Sequence, residues 1–331
     1  MSEGRSQSGM IRAANLLALV LAAGGISVLA MVFKPQPPPE AIEVASSQQC
    51  MECHPGVAAE WQASHHGFAF ENPEVRKLSQ DFRNEECLAC HAPRPVLAFA
   101  PGERVLARNS ERKLGVDCLA CHALPSGGVA TANPNPRKNA PCRPQTVTRM
   151  ADVNHCAACH NQHKTVDQWK TSPPELRGQN CLHCHMPPVF RGGGRRGFDH
   201  SFNASHDPDS LRAAVRLFGS WSGDQVEYGV ENYGAAHNFP TDERSRAADM
   251  QYRWHLVGEE PGAWQQRYRF RDPYRDEVDL TNTQLPSGES WKETLTAPPQ
   301  AEALEFRLLY KTNPYMTDED AVVVESMLLK P

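Results

Sequence analysis

The chain has 331 residues, with 34 Lys and Arg against 39 Asp and Glu, a formal charge of −5. That balance is too mild for nucleic acid or an acidic lipid surface to be the main partner. The length admits about two or three domains, and 27 prolines with 22 glycines require abundant loops.

The first element is apolar. Residues 13–33 carry no charge. Twenty-one helical residues reach about 31 Å, the thickness of a bilayer core. Arg5 and Arg12 precede the segment and Lys34 follows it, which puts the N-terminus in the cytoplasm and the rest outside. A cleaved signal peptide competes with this reading, since Val28-Leu29-Ala30 is a passable cleavage site. The apolar run continues through Met31, Val32 and Phe33, which favours an uncleaved transmembrane anchor. The expected boundaries are 1–34 for the N-terminal tip and anchor, then 35–49 for a stiff Pro-rich linker that contains Pro35 and Pro37 to Pro39.

The motif C-x-x-C-H then occurs five times: Cys50–His54, Cys87–His91, Cys118–His122, Cys156–His160 and Cys181–His185. These use ten of the 11 cysteines. Two thiols three positions apart can each add to one vinyl group of a single haem. The adjacent histidine is then held under the porphyrin, where it binds the iron. Disulfide pairing would not place a histidine after every second cysteine, and zinc knuckles need ligand pairs converging on one metal. The sequence therefore predicts five covalently bound haem c groups. They attach through Cys50, Cys53, Cys87, Cys90, Cys118, Cys121, Cys156, Cys159, Cys181 and Cys184. His54, His91, His122, His160 and His185 are the expected proximal ligands. Residues 50–206 leave roughly 31 residues of chain per haem, too few for a separate apolar core around each. A mainly helical and irregular domain over 50–210, with the haems as much of its core, is the expected architecture. Haem attachment outside the cytoplasmic membrane agrees with the orientation of the anchor and places this domain in the periplasm.

Nine histidines remain, enough to give every iron a sixth ligand. His66 in Trp61-Gln-Ala-Ser64-His65-His66 lies where a helix would run alongside a haem. His200 and His206 follow the fifth motif across a Gly- and Arg-rich loop, and His237 lies in Ala235-Ala236-His237-Asn238-Phe239-Pro240-Thr241. His163, three residues after His160, can reach a neighbouring haem but not its own. These five are the candidate distal ligands. His155, directly before Cys156, is a weaker candidate; His183 reads as exposed and His255 as packed within a strand. Met186 is an alternative ligand, although Met186-Pro187-Pro188 equally stops a helix. Cys142 is the odd cysteine, read as a tolerated lone thiol.

Beyond residue 211 the motifs stop and β-formers recur. The expected strands are Gln225–Glu231, Gln251–Val257, Arg267–Phe270, Ser290–Thr296, Leu304–Lys311 and Ala321–Leu329. Gly258 to Gly262 and Pro286-Ser287-Gly288 supply turns between them. An all-β, sandwich-like domain over 211–331 follows, with no catalytic constellation in it.

Trp61-x-x-Ser64-x-His66, Gly115-Val116-Asp117 and Trp169-x-x-Ser172-Pro173 carry a resemblance. So do Cys181-x-x-Cys184-His185-Met186-Pro187 with the later His200-x-Phe202, and the His237 to Thr241 segment. Over roughly residues 46–330 the chain resembles the multihaem cytochrome c superfamily. That group includes the tetrahaem cytochrome c of ammonia oxidisers, hydroxylamine oxidoreductase and the multihaem nitrite reductases. The resemblance implies bis-histidine haems in stacked pairs and points to His66, His200 and His237 as distal ligands. The chain departs from the enzymes of the group. No C-x-x-C-K occurs, and nothing marks a tyrosine for cross-linking to a haem.

The leading functional expectation is a membrane-anchored, non-catalytic electron relay within a respiratory chain or complex. Its partners would be a quinol-oxidising complex, a soluble cytochrome or a terminal reductase. An oxidoreductase acting on a small nitrogen or sulfur oxyanion would need one five-coordinate haem with acid–base groups around it. A quinol dehydrogenase fits the anchor and haem count, but less well the β-rich tail.

Overall fold

The computed structural model describes residues 15–16, 18–22, 39–192, 195–241, 245–274 and 277–331. The anchor expected over 13–33 lies largely outside these residues. Among the described residues no helix is long and apolar enough to cross a membrane. Among the described residues, those of 43–138 and 142–331 make one compact unit, and those of 1–42 with 139–141 make another.

The first half of the larger unit is a series of short helices joined by loops. Each C-x-x-C-H occupies about one helical turn. The first lies on Ser47–Cys53, with His54 as its C-cap. The second lies on Leu88–His91 and the third on Cys118–His122. The fourth ends Val153–His160, and the fifth is the helix Cys181–His185. A turn of helix brings positions three apart to one face, which aligns the two thiols of a motif. Side-chain caps set where several of these helices start. Ser46 and Gln49 form a capping box on the first, and the Asp117 and Asp152 carboxylates accept N–H bonds at the third and fourth.

Apolar packing in this half is thin. The buried cluster is Val96, Val105 and Ala158, with Phe99 and Cys159 against it. Two small strand pairs interrupt the helices. Strand β1 (Ala130–Thr131) runs parallel to β2 (Gln145–Thr146), and β3 (Pro188–Arg191) is antiparallel to β4 (Arg195–Phe198).

The last third forms two antiparallel sheets. One orders β5 (Arg216–Ser222), β6 (Gln225–Glu231) and β9 (Ser290–Thr296). The other runs β11 (Val322–Leu329), β10 (Ala301–Lys311), β7 (Ala247–Leu256) and β8 (Gln265–Phe270). In β10, Leu304, Phe306 and Leu308 are fully buried while Glu305 and Arg307 between them are not, the two-residue period of a strand with one face in a core. Both sheets feed one apolar cluster. Tyr228 of β6 meets Phe306 of β10 at 5.2 Å and Tyr252 of β7 at 5.9 Å between ring centroids.

Strand β5 was not among the expected strands. Its sequence Arg-Leu-Phe-Gly-Ser-Trp-Ser is poor in β-branched residues. Packing explains the glycine: a Cβ on Gly219 would stand 3.2 Å from Leu329 Cδ2 and 3.3 Å from Phe306 Cζ. Glycine lets the second sheet approach this closely.

Candidate haem-binding site

Histidines come together two at a time. Among the described residues no three His, Cys, Asp or Glu side chains converge as a metal cage requires. Instead, motif histidines face non-motif ones. His160 and His66 have ring centroids 6.0 Å apart, His122 and His200 6.3 Å, and His185 and His237 6.3 Å. A metal–imidazole nitrogen bond is about 2.0–2.1 Å and the ring centroid lies about 1.1 Å behind that nitrogen, so two imidazoles on opposite sides of one ion stand about 6.3 Å apart. The three separations fit one iron between each pair. The ring planes lie within 26° for His122 and His200 and within 12° for His185 and His237, and at 64° for His66 and His160.

Several rings are oriented by their second nitrogen. His122 Nδ1 lies 2.8 Å from the Ala130 carbonyl, His185 Nδ1 2.8 Å from that of Asn203, and His91 Nδ1 2.9 Å from that of Ala69. His200 Nδ1 lies 2.8 Å from the Phe198 carbonyl and His237 Nδ1 3.0 Å from that of Asn238. A proton on Nδ1 donates to each carbonyl and leaves the Nε2 lone pair for a metal. Burial, reinforced by the neighbouring His160, pushes His66 down to about 3. Burial likewise pushes His237 down to about 4 and lowers His122 and His200. Neutral imidazole is the form that ligates.

Three of the distal candidates, His66, His200 and His237, lie in segments held by groups from elsewhere in the chain. The His200 backbone N–H donates to Glu60 Oε2 at 2.9 Å, and Glu60 is paired with Arg191, whose Nη2 also donates to the Phe198 carbonyl at 2.8 Å. His66 is held by the Gly115-Val116-Asp117 strap. Val116 N–H donates to the His66 carbonyl at 2.8 Å, and the Trp61 indole N–H donates to the Val116 carbonyl at 2.7 Å. Gly115 has φ +59°, and a Cβ there would meet the His66 carbonyl oxygen at 2.4 Å. Asp117 is buried; its Oδ1 accepts from Arg108 at 3.0 Å and its Oδ2 from Ser47 at 2.9 Å. Phe202 stands edge-on to both His66, at 4.2 Å, and His200, at 5.9 Å. On the C-terminal side, Gln168 of the helix Thr165–Thr171 accepts from Asn238 N–H at 3.2 Å and from the Thr241 hydroxyl at 2.9 Å.

The thiols also act on one another across motifs. Cys118 pushes the Cys50 thiol up, Cys181 pushes Cys156 up, and Cys90 pushes Cys159 up. These influences join the first motif to the third and the fourth to both the second and the fifth. Cys121 of the third motif adds its field to Cys156 and Cys159, and burial pushes its own thiol up to about 12. The fourth motif is thus the hub.

The remaining candidates fall elsewhere. His54 is exposed at its helix end, and the His91 ring lies 6.2 Å from Phe82. His206 stacks on His65 with centroids 3.6 Å apart, too close for an ion between them. His163 is half-buried on the turn Asn161–His163. His183 is exposed, and His255 Nε2–H donates to Glu305 Oε2 at 2.8 Å in the sheet. Met186 caps the helix Cys181–His185, and Cys142 is half-buried near Cys50. His155 is 9% exposed, and both its ring nitrogens are buried without a hydrogen-bond partner. Sequence reasoning missed the positioning roles of Glu60, Arg191 and Gln168; nothing in their local sequence distinguishes them from other polar residues.

A family model described as cytochrome c554 and c-prime matches residues 49–123, a stretch containing the first three motifs. No curated protein matches the chain. The crystal structure of a penta-heme cytochrome c552 from Thermochromatium tepidum superposes with a TM-score of 0.66 at 16% identity, covering 86% of this chain and 98% of that one. The E. coli curli protein CsgC aligns over 35% of this chain and 93% of its own at 10% identity, but its TM-score of 0.16 carries no argument. The chain has the fold of a multihaem c-type cytochrome.

Proposed function

We propose that the protein is a membrane-anchored pentahaem c-type cytochrome that relays electrons between partners outside the cytoplasmic membrane. The observation that carries the reading is the set of three histidine pairs, each spaced for one iron. The ten motif cysteines would hold five haems by thioether bonds. The iron they hold would change by one electron between its ferric and ferrous states. His66, His200 and His237 would supply sixth ligands opposite His160, His122 and His185. The irons on His54 and His91 would draw theirs from the remaining histidines, His163 and His206 among them.

The chain's own part is positional. Carbonyls of Ala130, Asn203, Phe198 and Asn238 fix ring tautomers, so ligation changes little between redox states. A haem iron held by two histidines would keep no position for a substrate, which favours relay over substrate chemistry. The mutual influence of thiols from different motifs supports close spacing of the haem edges, with a branch at the fourth motif. The apolar run 13–33 and its flanking charges support the anchor and the periplasmic side for the haem domain.

Intact mass with a pyridine haemochrome assay is expected to give five haems per chain. Electron paramagnetic resonance with near-infrared magnetic circular dichroism is expected to find every ferric haem low-spin. A haem-free chain, or a high-spin component near one haem equivalent, overturns the relay. Recovery in the soluble fraction without detergent, rather than in membranes, sinks the anchor.

A further inference from the structure

Five histidine rings in the site face backbone carbonyls, and one of those carbonyls is shared. The Phe198 carbonyl lies 2.8 Å from His200 Nδ1 and also accepts from Arg191 Nη2 at 2.8 Å. The carbonyls of Ala130, Asn203, Ala69 and Asn238 take no guanidinium among the described residues. Pro188 stands opposite Phe198 in the β3–β4 pairing and has no N–H to give it. Glu60 grips the other side of the Arg191 fork. Arg191 Nε donates to Glu60 Oε1 at 3.0 Å, and Nη2 pairs with Oε2, the atom that also accepts the His200 backbone N–H at 2.9 Å. A Cβ on Gly197 would stand 2.6 Å from Arg191 Nη1, so glycine leaves the guanidinium its place. Both side chains are only 25% exposed, and water therefore screens the pair in part.

The acceptor on Nδ1 decides how strongly an axial imidazole gives electrons to its iron. Strong donation from Nδ1–H lends the ring imidazolate character, which favours the ferric state. A carbonyl that already accepts a charge-assisted bond has less electron density left for a second donor. His200 thus donates more weakly than a ring with a carbonyl to itself, such as His122 or His185. The guanidinium charge acts in the same sense, because a nearby cation favours the iron state with one positive charge fewer. The Glu60 carboxylate acts against it.

We infer that Arg191 is a positioning residue that holds up the reduction potential of the haem on the third motif, acting on His200 through the shared Phe198 carbonyl and opposed by Glu60. This rests on the haem-binding reading above, with His122 and His200 as the two ligands. The iron takes up one electron on reduction, and His200 Nδ1 keeps its proton in both states.

The test is spectroelectrochemistry of the full-length holoprotein with the variants R191Q, R191K and E60Q. R191Q frees the carbonyl and leaves Glu60 uncompensated. It is expected to keep five low-spin haems and to move one midpoint potential downward while the others stay. E60Q leaves the guanidinium uncompensated and is expected to move that same potential upward. R191K keeps the charge but not the fork, and is expected to fall between R191Q and wild type. Opposite signs separate tuning from mere support, since loosening His200 would shift both variants the same way. Shifts of one sign in R191Q and E60Q, or potentials in R191Q identical to wild type, overturn the inference. If R191Q loses a haem, E60Q decides: a rise supports the inference, and a fall or no change overturns it. A wild-type chain that takes up no haem defeats the relay and this inference together, whereas a loaded chain with unmoved potentials defeats this inference alone.

Discussion

His237 faces His185 with ring centroids 6.3 Å apart and planes 12° apart, although 52 positions of chain separate them. His237 belongs to the β-rich third. Two residues on, Phe239 is 4% exposed in the core of the sheets, 5.6 Å from Tyr310, and Asn232 Nδ2 donates to the His237 carbonyl at 2.9 Å. The sheets therefore present a side chain to the fifth motif. H237A is expected to convert one haem equivalent from low-spin to high-spin. Near-infrared magnetic circular dichroism reads this directly, with H255A as a control that leaves the spectrum unmoved. An unchanged low-spin intensity in H237A would mean that the pairing is idle.

Gly115 sets where His66 stands. Substituting alanine puts a Cβ 2.4 Å from the His66 carbonyl oxygen and 2.8 Å from that of Gly67, at a φ of +59° that alanine adopts poorly. The strap must move, and the His66 backbone moves with it. G115A is expected to cost on the order of 2 kcal/mol or more in chemical denaturation. It should also broaden the electron paramagnetic resonance envelope of one low-spin haem. G127A, whose Cβ meets nothing within 4 Å but whose φ is also positive, separates backbone strain from displacement of His66.

Acid should loosen the β sheets through Asp318. The Lys311 ammonium donates to it at 2.6 Å, and this bond, joined by one from Gln251, holds its carboxyl below the usual 3.8. A carboxyl held lower in the folded than in the unfolded chain stabilises the fold at pH above its unfolded value. That contribution fades as pH falls through the lower folded value. The wild type is thus expected to exceed D318N in stability at pH 7, and the gap is expected to close below about pH 4. Urea midpoints for both proteins at pH 7, 5 and 3 check this; a gap independent of pH would refute it.

Phe306 is fully buried between the two sheets, against Tyr228. F306A is expected to lose about 3–5 kcal/mol, the usual cost of truncating a core aromatic. Far-ultraviolet circular dichroism during urea unfolding measures it. The Soret spectrum of the folded variant should match wild type, since Phe306 lies in the cluster formed by the sheets.

Periodic and covalent features were readable from residues alone. Five C-x-x-C-H motifs announce themselves because haem chemistry fixes spacing to the residue, and the alternation of Leu304, Phe306 and Leu308 marks a one-faced strand. Strand ends were less legible: β7 begins at Ala247, four residues before the expected Gln251, since alanines carry little β signal. The partners of distal histidines were not legible at all. His66 meets the fourth motif rather than the first, which it follows in sequence, while the strap at 115–117 holds its backbone. Such pairings depend on the meeting of distant segments, which no local pattern encodes.

The mutual influence of thiols from different motifs bears on biogenesis. Cys50 with Cys118, Cys90 with Cys159, and Cys156 with Cys181 are pairs whose thiols act on one another. In an oxidising compartment, neighbouring thiols are close to cross-linking. A chain that acquired this shape with bare cysteines would expose itself to three disulfides, each blocking two motifs at once. If haem attaches to these thiols in such a compartment, attachment would have to precede the closing of the distant segments on one another.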